Sequence, residues 1–162
     1  MVALVTVENL SMDFNGFLAL KNINFELNEG EIVGIIGRSG AGKTVLMHLL
    51  RGIDNPPTES RIIYHVALCD SCEYVDVCSH AGQKCSKCGG NLQAADVDFW
   101  DEKNEKLKRR IMRSTAIMFQ RTFALYGDDR VIDNVMHALY DVKYPAENAI
   151  NRAADLIDEV NL

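Results

Sequence analysis

A chain of 162 residues with 48% apolar side chains can bury one real core, and no stretch is long and apolar enough to span a membrane. A net charge of −6 argues against nucleic acid as the main partner. Met1 to Glu8 lacks the basic segment of a signal peptide, and the five cysteines point to a reducing, cytoplasmic setting and a metal, not a disulfide framework.

In chain order, Val2 to Glu8 alternates like a strand and Leu18 to Leu27 is a second apolar run. Asn28-Glu29-Gly30-Glu31 is a turn feeding a third expected strand, Ile32-Val33-Gly34-Ile35-Ile36. Next comes Gly37-Arg38-Ser39-Gly40-Ala41-Gly42-Lys43-Thr44, and then an apolar helix from Val45 to Leu50. That helix should end near Gly52, with Pro56-Pro57 blocking its continuation. From about Arg61 to Asp98 the composition changes, and cysteine, glycine and small polar residues dominate between Cys69 and Asn91. Asp101 to Arg113 reads as a charged helix with Leu107 and Ile111 on one face. Its basic residues, Lys106, Arg109, Arg110 and Arg113, read as a solvated face. Thr115 to Phe119 reads as a short buried strand ending at Gln120. Val131 to Val142 and Pro145 to Val160 read as amphipathic helices, with Pro145 in the first turn of the second.

Residues 37–44 form a complete phosphate-binding loop between an expected strand and an expected helix. Its glycines let backbone N–H groups converge on an anion without Cβ clashes. The helix N-terminus adds unsatisfied donors and the positive end of its dipole. Lys43 has the reach for the β- and γ-phosphates, and the Thr44 hydroxyl is a ligand for Mg²⁺. The nucleotide-binding set is therefore Gly37, Arg38, Ser39, Gly40, Ala41, Gly42, Lys43, Thr44 and Val45.

Cys69-Asp70-Ser71-Cys72 and Cys85-Ser86-Lys87-Cys88 form a CxxC…CxxC pair. Two residues between thiolates let one tight turn give two sulfurs to one ion, and two such turns complete a tetrahedral site. Zn²⁺ is favoured; Fe would use the same four ligands. Gly89-Gly90 relieves the second turn. Cys78 reads as a free thiol, and His65 and His80 as surface residues.

Further runs carry a family resemblance. Phe14 lies in Leu10-Ser11-Met12-Asp13-Phe14-Asn15-Gly16, Leu20 to Glu31 leads into the loop, and Met118-Phe119-Gln120, Ala124-Leu125-Tyr126 and Val131-Ile132-Asp133-Asn134-Val135 follow downstream. Together these resemble the first part of an ABC-type ATPase domain. The resemblance implies an α/β P-loop NTPase fold of the ABC type, in part. It would comprise an antiparallel β subdomain with the loop core over residues 1–60, a return helix and strand over 99–120, and the start of a helical subdomain over 121–162; the four-cysteine metal-knuckle insertion over 61–98, read from its spacing, is the part the resemblance does not cover. It implies that Phe14, with Phe17 as rival, stacks on adenine, and that Gln120 contacts Mg²⁺ and the attacking water. It places the Leu-Ser-Gly-Gly signature, the catalytic glutamate and the switch histidine downstream of Leu162. His48 and His137 do not match the switch position, so no catalytic residue is assigned and this stretch alone is expected to be inactive.

Within the family, residues 37–52, 120–129 and the cysteine segment are most similar to the ATPases (component A) of the methyl-coenzyme M reductase activation system of methanogenic archaea. That resemblance implies ATP-dependent reductive activation of the nickel enzyme. The partners would be that enzyme, its activation complex and a second ABC domain, without nucleic acid or membrane. The nucleotide-binding subunit of a membrane transporter, or a metal-stabilised nucleotide-binding module without turnover, would share the same motifs.

Overall fold

The computed structural model describes residues 1–56, 59–118 and 126–161. The chain divides into two compact units, Met1–Ala116 and Ile117–Leu162.

The first unit is built on an antiparallel sheet. β1 (Ala3–Phe14) and β2 (Phe17–Asn28) form a hairpin whose two-residue turn has Asn15 at φ 53° and Gly16 at φ 90°. Two left-handed residues in succession match the right-handed twist of the flanking strands, which is why Asn-Gly stands there. β3 (Arg61–Cys69) is central: β5 (Leu92–Asp98) pairs along one edge, and β1 and the short β4 (Val75–Val77) share the other. Even-numbered residues of β3, Ile62, Tyr64 and Val66, enter the main core with Val5, Val7, Val97 and Phe99. Its odd-numbered Ala67 and Cys69 join a second small cluster with Cys85 and Leu92. This is strand alternation with both faces in use.

α1 (Lys43–Arg51) lays Leu46 and Leu49 on the main core. It stops at Gly52, whose φ of 81° completes the C-cap as the sequence predicts. The Tyr64 hydroxyl donates to Leu50 O at 2.7 Å, tying the end of α1 to β3, and burial pushes that phenol up to about 12. α2 (Glu105–Ser114) follows a single turn of 3₁₀ helix and buries Ile111, as the expected apolar face requires. The second unit pairs α3 (Val131–Asp141) with α4 (Ala146–Glu159), which packs through the fully buried Ala149 and Ala153. Pro145 caps α4 from just outside it.

Two expected strands do not form. Ile32 to Ile36 is irregular, and Ile32 and Ile36 are each 98% exposed. An apolar run becomes a strand only when a neighbour accepts its backbone hydrogen bonds, and no described strand pairs with it. Thr115 to Met118 is irregular for the same reason, and Phe119 lies outside the described residues. Conversely, the change of composition after Arg61 conceals two long strands: β3 and β5 are integral to the sheet. Among the described residues, no helix is long and apolar enough to cross a membrane.

Candidate nucleotide and metal sites

The phosphate loop reaches α1 through Gly40 at φ 80° and Gly42 at φ 82°. A Cβ on Gly42 would lie 2.5 Å from the Ala19 carbonyl oxygen, so both conformation and space demand glycine. The close approach seats the loop against β2. Lys43 Nζ donates to Gly37 O and Arg38 O, both at 2.8 Å, so the ammonium sits within the curl of the loop. Gly42 caps α1 without a side-chain acceptor, and the first turn holds no acidic residue. The first N–H groups of the helix and the positive end of its dipole are thus left for an anion. Thr44 is exposed at that end and Val45 is half-buried. Residues 37–45 thus lie together in the loop and the first turn of α1.

Phe14 and Phe17 face each other across the hairpin turn, and both rings are largely exposed. Neither is a core residue, and Ala19, two positions beyond Phe17, touches the loop through Gly42. Gln120 lies outside the described residues.

The four cysteines of the CxxC pair come together. Their sulfurs all lie within 4.8 Å of one another, with Cys69 Sγ to Cys88 Sγ at 3.4 Å and Cys72 Sγ to Cys85 Sγ at 3.7 Å. Those separations are far beyond the roughly 2.05 Å of a disulfide, and all five cysteines are free. Cys78 stands apart from the cluster, as do His65 and His80, which pair with Asp96 and Asp76. Such close thiols compete for protons. For Cys69, burial opposes the thiolate, but the Ser71 N–H and the Cys88 thiol favour it and lower the group to about 7. For Cys88, the Gly90 N–H favours the thiolate, but contacts with Cys72 and Cys69 and burial push it up to about 12.

Sequence reasoning placed Arg110 elsewhere than the structure does. It is not on a solvated face: Nη2 donates to Cys69 O and Cys72 O, each at 3.0 Å, and to Tyr74 O at 3.1 Å, and Nε donates to Glu73 O at 3.2 Å. Its place three residues after Leu107 and one before Ile111, beside the apolar stripe, was the available signal.

The profile of the ABC transporter family matches residues 20–155, a range that takes in the loop, the cysteines, α3 and most of α4. The chain belongs to the ABC transporter family. An uncharacterised ABC transporter ATP-binding protein of Methanocaldococcus jannaschii is 50% identical over 160 residues, covering 98% of this chain and 29% of that protein. The arginine transport ATP-binding protein ArtM of Bacillus subtilis is 28% identical over 160 residues, covering 98% of this chain and 52% of that protein. This ABC chain thus spans only about a third to a half of these relatives. A solved dimeric ATP-binding cassette, in a post-hydrolysis state with ADP and Pi, shares the fold with a TM-score of 0.64 at 22% identity, over 98% of this chain and 57% of that one. ABC membership implies ATP and Mg²⁺ as ligands, and the open first turn of α1 with Lys43 beside it fits the phosphates.

Proposed function

We propose that this chain is the nucleotide-binding part of an ABC ATPase that drives ATP-dependent reductive activation of methyl-coenzyme M reductase. The observation that carries the nucleotide half is the loop: an uncapped helix N-terminus, left-handed glycines, and an ammonium already turned into the curl. Phosphate oxygens would replace Gly37 O and Arg38 O as partners of Lys43, exchanging dipole acceptors for charged ones. Backbone N–H groups from Gly40 to Val45 would cradle the same oxygens. Thr44 and Gln120 would hold Mg²⁺, which would supply positive charge against the phosphates. Phe14 or Phe17 would cover the adenine, since a flat ring presents area with few torsions to fix.

The remainder of the ABC protein, with a second ABC domain, would supply the groups that fire hydrolysis. Closure of paired domains on ATP would then move or strain a bound partner in the cytoplasm. The activation role is supported by the runs at 37–52 and 120–129 together with the cysteine pair. The relative named for arginine transport favours a second reading, the nucleotide-binding subunit of a membrane transporter.

Affinity capture of the tagged full-length protein from its native cells separates the two. Recovery with methyl-coenzyme M reductase is the expected result; recovery with a membrane permease in its place would overturn the activation role and leave the ATP site intact.

A further inference from the structure

We propose that Cys69, Cys72, Cys85 and Cys88 bind one Zn²⁺ as a structural tetrathiolate site, and that the loop so closed is the seat on which Arg110 fixes α2. The proposal is independent of the nucleotide reading.

The two cysteine loops have the same construction. In each, the N–H of the first cysteine donates to the carbonyl five residues on: Cys69 to Tyr74 O at 3.1 Å and Cys85 to Gly90 O at 2.7 Å. In each, the N–H two residues past the first cysteine donates to its sulfur: Ser71 to Cys69 Sγ and Lys87 to Cys85 Sγ, both at 3.4 Å. An N–H aimed at sulfur stabilises the thiolate, which is the form that ligates metal. Two unrelated stretches of sequence share this fold because both must present two sulfurs from one tight turn.

The loops are also held face to face before any ion is considered. Asp70 N donates to Asn91 O at 3.1 Å, while the Asp70 carboxylate accepts from Asn91 N and Asn91 Nδ2, both at 3.0 Å. A Cβ on Gly90 would meet Ser71 Oγ at 2.7 Å, so glycine there permits the close approach. For Zn–S bonds of about 2.3 Å, a tetrahedron has edges of about 3.8 Å. Two opposite edges are 3.4 and 3.7 Å, and all six lie within 4.8 Å, so small side-chain rotations complete the site. Four protein sulfurs leave no open position for substrate, which makes the site structural. Soft thiolates in a tetrahedral set select zinc over the hard divalent ions.

Four thiolates and Zn²⁺ carry a net charge of about −2, which must be balanced. One cation is in place, Arg110, whereas the charge of Arg113 is already met by Glu73. Arg110 plugs the carbonyls of Cys69, Cys72, Glu73 and Tyr74, all in the first loop. One guanidinium thus reads the shape of the whole first loop. If the loop opens, four acceptors disperse together and α2 loses its polar anchor. A lysine could not span them, because its charge sits at a single point.

The test uses the full-length protein, purified anaerobically from cells supplied with both zinc and iron. Metal analysis should find about one zinc per chain. Cys72→Ser and Cys88→Ser should lower occupancy at least about tenfold, and Cys78→Ser should leave it unchanged. Should the cysteine variants fail to fold, a mercurial reagent added to the wild type, with a zinc indicator present, should release the same single ion. Iron with visible thiolate absorbance would overturn the zinc assignment, and absence of metal would overturn the site. In Arg110→Ala and Arg110→Lys, zinc should stay bound while amide exchange in α2 accelerates about tenfold or more. Chelation of the wild type should produce the same acceleration. Unchanged α2 protection in either case would overturn the coupling to Arg110.

Discussion

The phosphate loop and the cysteine loops both use turns that contain glycine, yet they are anchored in opposite ways. The cysteine loops close on themselves: their hydrogen bonds join Cys69 to Tyr74, Cys85 to Gly90 and Asp70 to Asn91, and both rise from paired strands β3 and β5. The phosphate loop is anchored on one side, through α1 and the contact of Gly42 with β2, while Ile32 to Ile36 on its other side pairs with no described strand. A site of local turns is complete once its own segment folds, whereas a site between a strand and a helix depends on what flanks the strand. The two regions should therefore respond to different perturbations, and each should be insulated from the other's.

Metal removal is the largest expected perturbation. Structural zinc contributes its binding free energy directly to folding, so stripping it should lower Tm by on the order of 10 °C or more. The same treatment should change ATP affinity by less than about twofold, because no residue of the phosphate loop or of α1 packs in the cysteine cluster. Calorimetry and a nucleotide titration on one stripped sample check both. A parallel collapse of ATP binding would show the regions to be one unit.

Next in size is the same substitution placed in both regions. Gly42→Ala forces a left-handed alanine against a backbone oxygen that cannot move, and should cost about 3 kcal/mol or more. Gly90→Ala meets Ser71 Oγ, Asp70 Oδ1 and Ser71 Cβ at 2.7 to 2.9 Å, side-chain atoms rather than backbone and at an ordinary φ, so it should cost less, about 1–2 kcal/mol. Urea midpoints at fixed zinc concentration measure the difference. Equal costs would mean that the Gly42 contact with Ala19 does not seat the loop.

Lys43→Ala should follow, weakening ATP binding roughly a hundredfold, the size expected when a charged partner of the phosphates is removed. The ammonium reaches only loop carbonyls, so Tm without nucleotide should barely change. A fluorescent-nucleotide titration against a melting curve checks the pair, and an ATP affinity left intact would remove Lys43 from the site.

These contrasts also explain what the sequence made legible. The loop and the CxxC pair were readable because their chemistry is local: a lysine beside glycines, or two thiols with two residues between them, needs nothing distant to make sense. The C-cap at Gly52 and the buried face of α2 at Ile111 were readable from helical spacing. β3 and β5 were not, because their pairing spans the cysteine loops and is set by register rather than composition. Ile32 to Ile36 has the apolar character of a strand and lacks the partner that would make it one. Arg110 looked like one more cation on a basic helix; its role appears only when the carbonyls of a loop 36 to 41 positions away curl around it.

The smallest expected effect decides between two residues that the fold leaves equivalent. Phe14 and Phe17 are register partners on one hairpin, exposed by 44% and 64%, so either ring is free to cover a base. Aromatic stacking on a base contributes about 1–3 kcal/mol, so the residue that carries it should weaken ATP binding about tenfold when changed to alanine. Its neighbour should change binding less than about twofold. Stability should fall only slightly for each, since neither side chain is in the core. Because the ring contacts the base and not the phosphates, the loss should be the same for ADP and ATP and should vanish for inorganic triphosphate. Lys43→Ala should behave oppositely, with a loss that grows with the number of phosphates. If both phenylalanine variants bind ATP as tightly as the wild type, the hairpin tip has no part in the nucleotide site, and the loop alone holds the ligand.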